Sequence, residues 1–378
     1  MADVLIYADT IRSPEMRHEV PLAVPDSFLY AERDGEQYVV LSSFELDRLA
    51  EAAPGLNALP YEDLGIDELY AQGLPREEIE LEVILRATRR FGIEQAVVPS
   101  TFPLQVADHL RANGIEVTAD RQHFVRRRRV KNDIELAGIR RAQRAAEAAM
   151  DAARELLRSA ERRNGSLMLD GEQLTCERLK LAVEQAFTAN GAFADEFIVS
   201  HGAQTAVGHD MGSGPISPDE PICLDLFPRD RDSGCFTDMT RVFVVGTPSD
   251  ELLEWHKLCK EALDLSVAAA KPGILGTDLF TITCDVFEEH GYPTLRSKQP
   301  GEVLEDGFYH SLGHGVGLEV HEEPTLGRAP SELVAGDVIA VEPGLYRHGH
   351  GGCRLEDLVL VTENGPEVLA DYPYDLEP

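Results

Sequence analysis

Chemistry-bearing side chains crowd one short stretch of this chain. FYHSLGHGVGLEVHEEP (Phe308 to Pro324) sets His310, His314 and His321 among glycines and acids. Carboxylates also recur inside apolar runs of the same half of the chain. ICLDLF carries Asp225 among Ile222, Leu224 and Phe227, and FTDMTRVFVV carries Asp238 ahead of an apolar strand. VIAVEPGLY sets Glu342 after Val341, and CRLEDLVLV sets Glu356 between Leu355 and Leu358. Burying an unpaired carboxylate is costly or forces protonation. Each acid alone could end a strand, cap a helix or pair with an arginine. If all four converge, they carry a charge of −4, which two divalent cations would balance. Carboxylates with an imidazole suit Mn²⁺, Co²⁺ or Zn²⁺ rather than a thiolate-loving metal. Two such ions can lower the pKa of a shared water and polarise a carbonyl.

Other chemistries fit less well. HEEPT (321–325) is not HExxH, because position 325 is Thr and Pro324 would break a helix. GHGVGL lacks the last glycine of GxGxxG, and neither GxSxG nor a Walker A loop occurs. His310 and His314 have i,i+4 spacing, but Gly313, Gly315 and Gly317 argue against a helix there. Those glycines suit close backbone approach to a ligand or another strand. His348 and His350 read as solvated loop residues.

The elements that must position these groups fall into two parts. Residues 1–130 read as a small α/β domain. SFLYAERDGEQYVVL forms a hairpin turning at Asp34-Gly35, and PLQVADHLRANG is a helix between the strands AVVPS and IEVTAD. RRRRV (126–130) reads as a solvated linker or salt-bridge cluster, with the boundary near 128–133. Residues 131–378 open with a capping box, Asn132 with Glu135, and a long amphipathic helix reaching about Arg163. Further helices are expected over about 172–189, from the N-cap Ser249 to Pro272-Gly273, and from Thr277 to His290. Strands are expected at 337–346 and 351–362.

The 378 residues carry a net charge of −32, which disfavours a nucleic-acid partner, since phosphates require a basic surface. There is no long apolar run for a membrane span and no basic-then-apolar leader pattern. The six cysteines show no CxxC spacing and read as free, mostly buried thiols of a cytoplasmic protein.

The order Asp, then Asp-x-T-R, then GHGVGLEVHEEP, VEPGLY and GGCRLEDLVLVT resembles the pita-bread metallopeptidases, in particular aminopeptidase P and prolidase. RRVKNDIELAGIRRA looks like the segment that opens that family's catalytic domain, and residues 1–130 resemble its creatinase-type N-terminal domain more loosely. The R-x-E-D pattern at Arg354 to Asp357 is one that the Xaa-Pro members share and methionine aminopeptidases do not. The resemblance implies an α/β (α+β) pita-bread catalytic domain acting on an Xaa-Pro bond of peptides or dipeptides.

Carried over by motif, the metal ligands are Asp225, Asp238, His314, Glu342 and Glu356, holding two divalent ions, Mn²⁺ first, with Co²⁺ or Zn²⁺ as alternatives. Glu342 is the implied proton-shuttling base. His321 and His209 (in TAVGHDMGSG) would orient substrate or stabilise an oxyanion, His310 would contact substrate, and Arg354 would support the site. The connection LFPRDRDSGCFT is longer than the family's. A shifted register would make Asp230 or Asp232 compete with Asp238, but DMTRVF keeps the family's D-x-T-R-x-F. A homodimer is implied by the resemblance alone. Two other functions stay open at this point: hydrolysis of another small amide, as in creatinase-like or ectoine-hydrolase-like relatives, and non-enzymatic binding, which usually accompanies lost ligands.

Overall fold

A computed structural model describes residues 2–378. The chain divides into two compact units, Met1–Arg128 and Arg129–Pro378. The first holds six strands: β1 (Val4–Ala8), β2 (Phe28–Arg33), β3 (Glu36–Leu41), β4 (Asn57–Pro60), β5 (Gln95–Val98) and β6 (Glu116–Ala119), in the order β4-β3-β2-β1-β5-β6. β2 alone runs against the others. The β2–β3 hairpin turns at Asp34 and Gly35, with φ of +53° and +83°, where the right-handed strand twist favours a turn with two positive φ values. One sheet face packs Leu5, Leu29 and Val40 against Ile79, Val83 and Ile84 of the helix Arg76–Arg90. The other packs Ile6, Phe28 and Tyr30 against Met16, Leu49 and Phe124. The basic run is the end of a helix, Arg121–Arg129, and not a linker. Arg127 pairs with Glu19 and Glu32, each at 2.6 Å.

The second unit starts at the expected capping box: Asn132 Oδ1 accepts from Glu135 N at 2.9 Å, and Glu135 accepts from Asn132 N at 3.0 Å. Helix α1 (Asp133–Ser159) follows, then α2 (Cys176–Ala189), α3 (Asp250–Ala269) and α4 (Gly276–Glu289). Two of these are shorter than their patterning suggested. α1 stops at Ser159, because Asn164-Gly165 adopts positive φ and folds Glu161–Arg163 back on Ser166–Leu169 as a hairpin. α2 starts at Cys176, where the Thr175 side chain caps it.

Strands β7 (Ile198–His201), β8 (Ile222–Leu226) and β9 (Met239–Phe243) form an antiparallel sheet. β10 (Gly313–Gly315), β11 (Glu322–Leu326), β12 (Val338–Val341), β13 (Gly344–Arg347), β14 (Gly351–Arg354), β15 (Asp357–Thr362) and β16 (Gly365–Val368) complete the unit. They form a five-stranded sheet, β11-β10-β12-β15-β16, and the hairpin β13–β14. The expected strands 337–346 and 351–362 are therefore each broken once, at Glu342-Pro343 and at Leu355-Glu356. α1 and α2 pack on the even-numbered apolar residues of β8, and α3 and α4 pack on Ile339, Val341, Val359 and Val361. A Cβ on Gly313 would lie 1.9 Å from the Ala340 carbonyl oxygen, and one on Gly315 would lie 2.3 Å from that of Glu323. The glycines thus let β10 sit against both neighbours. No helix among the described residues is long and apolar enough to cross a membrane.

Trp255 is the only tryptophan and lies buried in the core of the second unit, so its fluorescence reports that unit alone. Asn132→Ala removes one half of the capping box and should cost about 1 kcal/mol. The expected readout is a lower midpoint of the Trp255 denaturant transition at unchanged slope.

Candidate metal centre

Strand parity assembles the site. Side chains alternate across a strand, so residues two apart share a face. In β8 and β9, Ile222, Leu224, Leu226, Met239 and Phe243 enter the core under α1 and α2. The opposite face carries Asp225, directly across from Thr240, with Asp238 two residues before Thr240. In the larger sheet, His314 lies opposite Ala340, and Ala340 opposite Leu358. Glu342 and Glu356 continue the same parity just beyond the ends of β12 and β15. An isolated bridge pairs Thr240 with Glu356 and joins the two acid-bearing faces. The strand breaks at Glu342 and Glu356 leave both carboxylates at element ends, where a side chain can leave the sheet plane.

One cavity of about 600 Å³ is lined by all nine residues singled out from sequence: His209, Asp225, Asp238, His310, His314, His321, Glu342, Arg354 and Glu356. Ligand atoms of Asp238, His314 and Glu356 all lie within 4.8 Å of one another. His314 Nε2 lies 3.8 Å from Asp238 Oδ2 and 3.7 Å from Glu342 Oε1. The two competitors for the Asp238 position lie elsewhere: Asp230 forms a fork with Arg141 at 2.9 and 2.7 Å, and Asp232 is exposed. Asp225, Asp238 and Glu356 are all buried.

Four carboxylates here face one guanidinium. Arg354 hydrogen-bonds Asp225 and lies 3.8 Å from Glu342. Burial and then the charge of Glu356 hold the Asp238 carboxyl well above the usual range. Burial and then Glu342 do the same to Glu356, against a 2.7 Å hydrogen bond from Thr240. Burial pushes Glu342 up to about 8, with Arg354 opposing. Asp238 Oδ1 is buried with no hydrogen-bond partner among the described residues.

His314 sharpens the picture. Its Nδ1 meets the Gly315 carbonyl at 3.1 Å, so Nδ1 carries the proton and donates. Nε2 then presents a lone pair to two carboxylates, and burial holds the ring neutral by pushing its pKa down to about 4. A lone pair facing carboxylate oxygens is unfavourable unless a proton or a cation lies among them, and a divalent ion satisfies the ring and the acids together. The donor set, oxygens with one imidazole, fits hard or borderline divalent ions.

The remaining histidines line the same cavity differently. His310 donates from Nδ1 to the Ser311 carbonyl at 2.7 Å and accepts at Nε2 from the Tyr346 hydroxyl at 2.9 Å. Tyr346 in turn accepts from Arg354 at 3.1 Å. Burial, with Arg354 nearby, pushes His310 down to about 3. His321 stands edge-on to His314, ring centres 4.2 Å apart. His209 and His321 are solvent-exposed at the mouth, and His348 and His350 lie in the exposed tip of the β13–β14 hairpin. Sequence reading had not marked Tyr346 or the role of Thr240. Tyr346 meets Arg354 only through the β13–β14 register, which no spacing encodes. Arg241, present in the D-x-T-R motif, is buried and clamps the junction. It donates to the Thr240 and Glu356 carbonyls at 2.9 and 2.8 Å and to Asp357 Oδ1 at 2.9 Å.

A carboxyl whose folded pKa is raised binds more protons in the fold than in the unfolded chain, so its contribution to stability declines as pH rises. For Glu342 the window runs from its ordinary value of 4.5 to about 8. Below pH 6.5 the depressed His310 and His314 act in the opposite sense, so in chelator the melting temperature of the Trp255 signal should fall between about pH 6.5 and about 8, and Glu342→Gln should flatten that decline.

Residues 137–363 match the model of metallopeptidase family M24. The Xaa-Pro dipeptidase of Pyrococcus furiosus is 36% identical over 191 residues, covering 50% of this chain and 51% of that protein. The chain spans about half the length of the curated relatives it matches. The crystal structure of the prolidase from Pyrococcus horikoshii OT3 superposes with a TM-score of 0.75 at 26% identity, covering 100% of this chain and 95% of that one. That of the X-Pro aminopeptidase from Thermotoga maritima MSB8 does so with a TM-score of 0.78 at 22% identity, over 98% and 96%. With the paired helices and sheets described above, these likenesses establish the pita-bread fold. The match to the family model, laid over the strands that carry the acid-lined cavity, shows that this chain belongs to metallopeptidase family M24.

Proposed function

We propose that the protein is a metal-dependent Xaa-Pro peptidase that cleaves the bond between an N-terminal residue and proline in peptides or dipeptides. The carrying observation is the convergence of the His314 Nε2 lone pair with buried carboxylates in one cavity. The family match and the similarity to an Xaa-Pro dipeptidase support the substrate class. Residues 131–378 form the catalytic domain in this reading, and residues 1–130 are a separate creatinase-type domain. Asp225, Asp238, His314, Glu342 and Glu356 hold two divalent ions, Mn²⁺ in the first instance. When bound, such ions supply an activated water and polarise the scissile carbonyl.

The chain's own residues do the rest. Glu342 is the proposed proton shuttle by position, at the edge of the carboxylate cluster and facing the cavity. Its partial engagement by Arg354 leaves one oxygen directed at His314. His209 and His321, at the mouth, offer imidazole N–H groups to the carbonyl oxygen as it gains charge. His310 is held neutral and in one tautomer by Ser311 and Tyr346, so it serves as a fixed wall and a hydrogen-bonding ring. Ile198, Val207, Met211, Phe227 and Val320 give the apolar lining that a proline ring and a small side chain would fill. A cytoplasmic homodimer completes the proposal. The buried free thiols support the compartment, and the family resemblance supports the dimer.

The test is hydrolysis of Ala-Pro, Ala-Pro-Ala and Ala-Ala by metal-stripped protein, with and without Mn²⁺. Mn²⁺-dependent cleavage confined to the proline substrates is expected. The one cut faster assigns dipeptidase or aminopeptidase. Two bound ions per chain without cleavage of any of the three would keep the centre and overturn the substrate. His314→Ala should lower kcat/KM by at least about 100-fold, consistent with loss of a metal ligand and of the chemistry it supports. Metal content measured on the same variant should fall with it.

A further inference from the structure

The first unit has a cavity of its own, about 290 Å³, for which the proposed hydrolysis has no use. It opens where β1, β3 and β4, which run in the same direction, end. Tyr7 lies near the end of β1, Val40 and Leu41 end β3, and Tyr61 directly follows β4. Ligands of α/β sheets bind beyond the carboxyl ends of such strands, because the loops there diverge and leave a crevice. The floor is apolar: Phe28, Leu29, Val83 and Ile84 are buried. The volume is at the lower end of the roughly 300–1,000 Å³ typical of small-molecule sites.

The rim has a definite chemistry. Four aromatic rings line it, Tyr7, Phe44, Tyr61 and Tyr70. Phe44 is 74% exposed and Tyr70 is 56% exposed. Three carboxylates, Asp26, Glu45 and Glu80, share the lining with one guanidinium, Arg76, which is already engaged by Glu80 at 2.7 Å. Glu45 pairs outward with Arg48. Asp26 makes neither hydrogen bond nor ion pair among the described residues, although its charge is felt by Arg76 and Tyr61, and the Tyr7 and Tyr61 hydroxyls have no hydrogen-bond partner there. Burial, with Glu80 nearby, pushes the Tyr7 hydroxyl up to about 12, so it stays protonated as a neutral donor and acceptor. Aromatic faces and carboxylates both attract cations, and an apolar floor takes an apolar body. With Glu80 and Glu45 paired to arginines, Asp26 is the carboxylate left to disfavour an anion.

We propose that this cavity is a binding site for a small organic cation, an ammonium group on a short apolar or aromatic body, separate from the peptidase centre. The ammonium sits against Asp26 and the rings of Phe44 and Tyr61, with the tyrosine hydroxyls accepting its remaining N–H bonds. The apolar body occupies the floor.

Isothermal titration of the full-length protein with benzylammonium, benzyl alcohol and benzoate tests this. Benzylammonium is expected to bind at one site per chain that is insensitive to His314→Ala, and benzyl alcohol and benzoate more weakly. Asp26→Asn and Phe44→Ala should each weaken benzylammonium about 3- to 30-fold. Both positions are exposed, so the fold is retained, and circular dichroism checks this. Three results would overturn the proposal: equal binding of the amine and the alcohol, affinity unchanged in both variants, or no heat at millimolar amine. Loss of binding in His314→Ala with retention in Asp26→Asn would place the amine in the peptidase cavity and overturn it as well.

Discussion

Four carboxylates are brought into one poorly solvated cavity with a single guanidinium to face them, and the rest of the second unit is organised around that constraint. Like charges at low dielectric repel strongly. Three of the four carboxyls respond by sitting well above their ordinary range. Arg354 relieves Asp225 and Glu342, and Thr240 relieves one oxygen of Glu356, but Asp238 Oδ1 is left bare. In the proposed function divalent ions would remove the conflict at its source, since the oxygens that repel one another would become their ligands. The neutral His314 ring, with its lone pair turned to the acids, belongs to the same logic.

Such a site survives only if the backbone that carries it cannot relax. Arg241 is buried and bonded to the carbonyls on both sides of the junction between the two sheets, as well as to Asp357. It thereby fixes the Thr240–Glu356 bridge, from which Glu356 projects and beside which Asp225 and Asp238 lie. β10 is pinned from the other side by its glycines, which bring His314 within reach by allowing backbone contacts that any side chain would prevent. The helix pairs α1–α2 and α3–α4 cover the outer faces of these sheets and supply the apolar burial that offsets the polar interior.

The two cavities of this chain differ in how they use acids. In the second unit four acids crowd around a lone pair with one guanidinium among them, which suits a metal. In the first, exposed Asp26 and half-buried Glu80 lie with aromatic rings over an apolar floor, which suits a larger and softer cation. The same residue type therefore supports two recognition chemistries, and burial decides between them.

The sequence by itself determined the chemistry of the centre and much of its framing. Acids set inside apolar strand patterns, the glycine-flanked histidines and the Asn132–Glu135 cap are local signals, because each reflects a mismatch or a bond within a few residues. The tertiary structure alone decided the rest. The D-x-T-R-x-F motif favoured Asp238 over Asp230 and Asp232, and the structure adds that Asp238 lines the cavity while Asp230 is held in a fork by Arg141. The strands expected to run unbroken through Glu342 and Glu356 are interrupted at those acids. Tyr346 joined Arg354 and His310 only through a hairpin register. Residues far apart in the chain share one cavity because two sheets meet at a single bridge, and pairing between distant strands is set by the packing of whole layers, which no short stretch of sequence specifies.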